Sequence, residues 1–127
     1  MANILVSKTW GMETWFYNGA YCGKRLTFAE DHRCSVHYHK DKAETFLILS
    51  GRIHLEIWKA AWTDGDRHKH WYKKEDIILE RGDTYDLRPF VAHRMTAIGG
   101  NAAIIEFSTL HRDSDSYRIE TGQLWSD

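Results

Sequence analysis

Short stretches of alternating or β-branched apolar residues, closed every few positions by Gly, Asp or Asn, run through this chain and restrict it to an all-β fold. In Arg52-Ile53-His54-Leu55-Glu56-Ile57-Trp58 every second residue is apolar, as in a strand with one face on a core and one toward solvent. Comparable stretches predict strands at 14–17, 21–28, 34–39, 45–50, 52–58, 70–72, 76–79, 84–87, 93–98 and 102–107. Asn18-Gly19, Ser50-Gly51, Asp64-Gly65-Asp66, Arg81-Gly82-Asp83 and Gly99-Gly100-Asn101 supply the turns, because Gly and Asn tolerate positive φ. Helical periodicity is weak, so the expectation is a meander of hairpins.

A chain of 127 residues accommodates one ordinary domain, and no linker or repeat divides it, so residues 1–127 are read as a single domain. With Lys and Arg at 17 against Asp and Glu at 18, there is no overall field to draw nucleic acid or an acidic membrane surface. The longest apolar runs, such as Phe46-Leu47-Ile48-Leu49, fall far short of the roughly 20 residues that span a bilayer as a helix. The start, Met1-Ala2-Asn3-Ile4-Leu5-Val6-Ser7-Lys8, lacks the basic flank and long apolar stretch of a secretory signal, and cytoplasmic residence is the expectation. Cys22 and Cys34 are too few and too far apart for a disulfide framework or a Cys-x-x-Cys motif, and they are read as buried, reduced thiols.

Thr45-Phe46-Leu47-Ile48-Leu49 is apolar on both faces of its strand. In a single small barrel the outward face needs a second cover, and a homodimer is the simplest one.

The chemistry concentrates in His37-Tyr38-His39-Lys40-Asp41-Lys42-Ala43-Glu44. Residues i and i+2 of a strand share a face, so His37 and His39 present their imidazoles side by side. Glu44 follows a short polar turn, from which the next strand can bring its carboxylate opposite them. His93, after Gly82 and Pro89, is placed to add a fourth ligand from a distant strand. Three imidazoles and a carboxylate suit one divalent ion, Mn, Fe, Zn, Ni or Co. His68-Lys69-His70 repeats the spacing without a carboxylate partner and reads as a solvated hairpin tip, and His32, His54 and His111 read as surface groups.

His-x-His-x4-Glu-x6-Gly followed by Gly-x6-Pro-x3-His resembles the two signature motifs of the cupin superfamily. The resemblance implies a jelly-roll β-barrel of two antiparallel sheets, with His37, His39, Glu44 and His93 as metal ligands. The sequence departs from the usual motifs at Asp31 and Val91, where Gly is usual, and at Ala97, where Asn is usual. None of these is a ligand position, so the departures bear on loop geometry. Lys8-Thr9-Trp10-Gly11-Met12-Glu13, Ala43-Glu44, Leu49-Ser50-Gly51, Ile105-Glu106-Phe107-Ser108 and Asp113-Ser114-Asp115-Ser116-Tyr117-Arg118 are similar to the cupin domain of type II mannose-6-phosphate isomerases and their fused guanylyltransferases. The resemblance covers the isomerase part and not the nucleotidyltransferase part, so at most the isomerase part is carried over.

That narrower resemblance implies a sugar or sugar-phosphate isomerase or epimerase, in which a metal polarises the carbonyl and neighbouring hydroxyl while a base moves the adjacent proton. Glu106 is the first candidate base and Lys42 the second; the alternatives are an outward edge carboxylate and a solvated turn. Tyr85 either donates to a substrate oxygen from the lumen or packs in the core. Arg33 and Arg88 are candidate phosphate clamps or solvated surface, with Arg94 weakest because its parity opposes His93. Trp10, Trp15, Trp58, Trp62 and Trp71 either stack on a sugar or an interface, or fill the interior. An Fe(II) dioxygenase and a noncatalytic sugar-binding protein are the competing readings of the same ligand set.

Overall fold

In a computed structural model the described residues are 3–62, 69–120 and 123–125. They form strands β1 (Ile4–Lys8), β2 (Gly11–Asn18), β3 (Cys22–Phe28), β4 (His37–Tyr38), β5 (Glu44–Ser50), β6 (Arg52–Trp62), β7 (Lys69–Glu80), β8 (Thr84–Leu87), β9 (Ala92–Ala97), β10 (Ala102–Ser108), β11 (Tyr117–Arg118) and β12 (Leu124–Trp125), with a 3-10 turn η1 at Asp113–Asp115. One sheet has the order β1-β2-β3-β10-β5-β8, and the other β11-β4-β9-β6-β7-β12. All pairings are antiparallel except that of β12 with β7 at the edge. No helix among the described residues is long and apolar enough to cross a membrane.

The two inner faces meet in one core that includes Leu26, Phe28, Phe46, Ile48, Ile53, Leu55 and Ile104. Register explains which residues share it. Trp15, Lys24, Glu106, Phe46 and Tyr85 lie in one inward row across β2, β3, β10, β5 and β8. The neighbouring row, Leu5, Thr14, Arg25, Ile105 and Leu47, faces outward. On that outer face Leu5, Met12, Phe16, Leu49 and Phe107 are exposed. The outward side of β5 is therefore open in the single chain, as its two-sided apolarity suggested. A smaller core of Val36, Trp58, Trp71, Ala92 and Ile119 forms where the C-terminal segment folds over the other sheet.

Several sequence expectations change. The segments 70–72 and 76–79 belong to one continuous strand, β7, paired along the length of β6 with a register shift at Ile57/Trp58. Lys69 and His70 open that strand rather than occupying a loop tip; His68 and the Asp64-Gly65-Asp66 turn lie outside the described residues. The strand expected at 34–39 shrinks to His37–Tyr38, preceded by a lone bridge from Arg33 to Thr96. Asp31, standing where the motif usually has Gly, has φ 60, a left-handed conformation that Asp tolerates through its short polar side chain. In the second motif the positive φ falls on Phe90, at 66, rather than on Val91.

Gly51 closes the β5–β6 turn with φ +76, and a Cβ there would lie 2.4 Å from the Asn101 carbonyl oxygen and 2.8 Å from Ala102 Cα. Gly82 has φ +90 with open space around it. Gly82→Ala is expected to cost about 1–2 kcal/mol, for the left-handed backbone alone, and Gly51→Ala more, because rigid backbone must also move. Urea unfolding of the two variants checks that order.

Candidate metal centre and lumen

His37 and His93 are register partners across β4 and β9, so their rings project together into the barrel with centroids 4.4 Å apart. His39 follows His37 and lies 5.2 Å from it, ring to ring. Each imidazole is oriented through its Nδ1. His37 donates to the Ser35 carbonyl at 2.8 Å, His39 to the Asp115 carbonyl at 2.7 Å, and His93 more weakly to the Val91 carbonyl at 3.4 Å. A carbonyl can only accept, so these bonds place the proton on Nδ1 and turn the Nε2 lone pair away from the backbone. Carbonyl-anchored imidazoles of this kind are how proteins orient histidine ligands.

The Glu44 carboxylate lies between two of these rings. Its Oε1 is 3.6 Å from His39 Nε2 and its Oε2 is 3.6 Å from His93 Nε2. Donors that share an ion at ordinary bond lengths stand about 3.0–3.4 Å apart. The pocket is thus a few tenths of an ångström wider than a closed site, and among the described residues no three His, Cys, Asp or Glu side chains are drawn to coordinating separation. Donor type, tautomer and burial nonetheless fit a divalent ion.

Burial lowers the pKa of His37 below the ordinary imidazole range; it lowers that of His93 much further, with His37 and His39 adding to the effect. Both rings are therefore neutral at pH 7, the state a metal requires.

Lys42 is buried, and the solvated-turn alternative is excluded. Its ammonium contacts Glu44 Oε1 at 3.0 Å, Glu106 Oε2 at 2.8 Å and His111 Nδ1 at 3.0 Å, one partner for each of its N–H donors. Burial opposes its charge, but the two carboxylates outweigh that cost and raise its pKa well above the ordinary lysine value. Lys42 is a fixed cation and not a base. Glu106 faces the lumen, and its Oε2 also accepts from Ser108 at 3.1 Å.

His111 is corrected from a surface group to a part of this wall. Accepting from Lys42 at Nδ1, it donates from Nε2 to Asp113 at 2.9 Å. Asp115, in the same turn, is buried and accepts the backbone N–H groups of Lys40 and Asp41. With its carbonyl on His39, η1 fixes the loop that carries the ligands.

These groups line a cavity of about 660 Å³ whose other side is apolar, with Trp10, Leu26, Phe28, Phe46 and Met95. Tyr85 does not line it. Its side chain packs on the core, and its hydroxyl donates to Glu75, which together with burial raises its pKa to about 12. Arg88 is solvent-exposed and does not line the lumen. Arg33 opens onto a separate cleft on the outer side of the β4–β9–β6–β7 sheet, where Arg94 grips Glu56 with two bonds of 2.9 and 3.0 Å. Arg118, exposed and the register partner of His37, borders both this cleft and the lumen.

Lys24, Glu13 and Arg118 were missed from sequence. The first carried a signal: Cys22, Lys24, Leu26 and Phe28 alternate, so Lys24 occupies the apolar face of its strand. Cys22 and Cys34 are free and buried as expected, and burial raises the pKa of Cys34 to about 11.

No protein-family model matches the sequence, and no curated protein is significantly similar to it. Solved structures are. The capsular polysaccharide assembling protein CapF of Staphylococcus aureus superposes with a TM-score of 0.72 at 16% identity, over 95% of this chain and 33% of that one. An oxalate decarboxylase of Bacillus subtilis gives 0.73 at 12% identity, over 92% and 30%. An RmlC-like cupin of Shewanella frigidimarina gives 0.67 at 16% identity, over 88% and 87%. This chain thus spans about a third of the first two proteins and most of the third. The fold is that of the cupins. At these identities the likeness reaches the fold and nothing narrower, so the similarity to mannose-6-phosphate isomerases rests on the motifs alone.

Because His37 and His93 are held neutral in the folded protein, the unfolded chain takes up their protons first as pH falls through about 6.5. Their contribution to stability is complete above that pH and declines below it. The thermal midpoint of chelator-treated protein is expected to fall between pH 7.5 and 5.5, and His93→Leu to flatten that slope.

Proposed function

We propose that the chain is a metal-dependent cupin that isomerises or epimerises a sugar or sugar phosphate in this lumen. His37, His39, His93 and Glu44 hold one divalent ion. The observation that supports this most directly is that all three imidazoles have Nδ1 directed at a backbone carbonyl while two of them turn Nε2 toward one buried carboxylate. When bound, the metal supplies Lewis acidity to a substrate carbonyl and its adjacent hydroxyl.

The protein's own groups handle the proton. The hydrogen bonds of Glu106 fall on Oε2, which leaves Oε1 facing the lumen to take a proton from the carbon next to the carbonyl and return it. Lys42 bridges that carboxylate and Glu44 and offsets one of their two negative charges, so a fixed cation stands beside the group that handles the proton. Arg118, beside His37 at the rim, takes the anion-binding role expected of Arg33 and Arg88. That CapF is named as a capsular polysaccharide assembling protein agrees with sugar chemistry in a lumen of this shape.

The exposed outer face containing Leu49 and Phe107 is, in this reading, covered by a second copy of the chain. A dimer mass in light scattering that Leu49→Lys with Phe107→Lys converts to monomer is the expected result.

Purified protein is expected to carry about one divalent ion, and His37→Ala with His39→Ala to lose it while remaining folded. Metal content unchanged in that variant would sink the site. Glu106→Gln is expected to keep the metal but slow deuterium exchange from solvent into candidate aldoses and ketoses by about 10²–10⁴-fold. Substrate-dependent oxygen consumption with Fe(II) would favour a dioxygenase instead, and a sugar that raises the melting temperature without exchange would favour a binding protein.

A further inference from the structure

Two lysines are buried in the lumen wall, and they are spent differently. Lys42 has a partner for each of its donors. Lys24, on β3 and only 1% exposed, has a single hydrogen bond among the described residues, to Glu13 Oε1 at 3.2 Å. The Trp15 ring covers one side of its ammonium at 4.3 Å. Two N–H donors therefore remain on a buried, cavity-lining cation, which is costly unless something accepts them.

Glu13 does not require a ligand to the same degree. Its Oε1 already accepts from Trp15 Nε1 at 2.8 Å as well as from Lys24, and its Oε2 faces Lys8 at 3.6 Å. Burial alone would raise its pKa, yet Lys24, Trp15 and Lys8 bring it below the ordinary carboxylate value. The pair thus offers donors more than acceptors. Charge also constrains the ligand. Lys8, Lys24, Lys42 and Arg118 balance Glu13, Glu44, Glu106 and Asp113 in the same cavity, so the wall around Lys24 has no net positive charge to favour an anionic group.

We propose that Lys24, positioned by Glu13 and Trp15, is a substrate-binding residue that donates to neutral hydroxyl oxygens at the end of a polyol remote from the metal centre. The inference rests on the sugar reading above and narrows it to ligands long enough to reach both ends of the cavity. Lys24 pairs with Glu106, and Glu106 with Phe46 on the strand that begins at Glu44. Two strand spacings separate β3 from β5 and Glu44 lies two residues along β5 from Phe46, so about 12 Å separates the two backbones, which an extended six-carbon polyol with its terminal oxygens can bridge and a three-carbon one cannot.

The test compares D-sorbitol with glycerol on metal-loaded wild-type protein and on Lys24→Met, by calorimetric titration and by shift of the melting temperature, with metal content measured in parallel. Lys24→Met is expected to weaken D-sorbitol about 5–20-fold, the worth of one or two hydrogen bonds, and to leave glycerol and metal content unchanged. Equal weakening of both polyols, or no change in either, overturns the proposal, as does wild-type protein that holds metal but binds D-sorbitol no better than glycerol. Wild-type protein that holds no metal defeats the metal reading instead; the melting-temperature comparison of the two polyols then still decides the role of Lys24. Should Lys24→Met fail to fold because Glu13 is left buried and unpaired, Lys24→Met with Glu13→Gln removes both charges and carries the same expected discrimination.

Discussion

The ion pairs of Lys42 organise the inside of this barrel. A buried carboxylate or ammonium is too costly to keep alone, and two carboxylates side by side are worse. With Lys42 between Glu44 and Glu106, the strands β5 and β10 bring both acids into one cavity with half of their charge offset. Its third donor, to His111, connects the cluster to the segment that leads into η1. Without the ammonium, neither acid could be presented to a ligand from this position at moderate cost.

The C-terminal segment has a matching role on the opposite sheet. β11 pairs with β4, so the strand that carries His37 and leads to His39 lies between β9 and the chain's end. Asp115 fixes the Lys40–Asp41 backbone with its carboxylate and the His39 ring with its carbonyl. The ligand loop is thus clamped from outside the motif that contains it. A two-residue strand is weak by itself. Here it is supported by the small core of Val36, Trp58, Trp71 and Ile119.

The lumen has distinct sides. The imidazoles, carboxylates and Lys42 ammonium cluster together, the Lys24–Glu13 pair adjoins them where Lys24 lies beside Glu106, and an aromatic and aliphatic surface in which Trp10 stacks on Phe28 at 4.2 Å forms the rest of the wall. Such a cavity suits a ligand that carries both hydroxyl oxygens and a C–H face, since each polar group then meets a partner and the apolar wall meets carbon.

The sequence by itself determined the architecture and marked the candidate ligand positions. Alternation and turn residues mark most of the longer strands because one face of each must be buried, and the His-x-His spacing places His37 and His39 on one face by strand parity alone. Parity likewise turned Arg94 away from His93, as the structure shows by its grip on Glu56. The tertiary structure decided what long-range contacts decide. It assigned Lys42 to the interior, though a lysine in a polar turn reads as solvated. It brought His111 to Lys42 across 69 positions of the chain and Asp115 to Lys40 across 75. It moved Arg33 to another surface and committed the Tyr85 hydroxyl to Glu75. Pairing partners of a charged side chain come from strands distant in sequence, and local pattern carries no record of them; the faces of a strand are set by its own period, and these the sequence records in full.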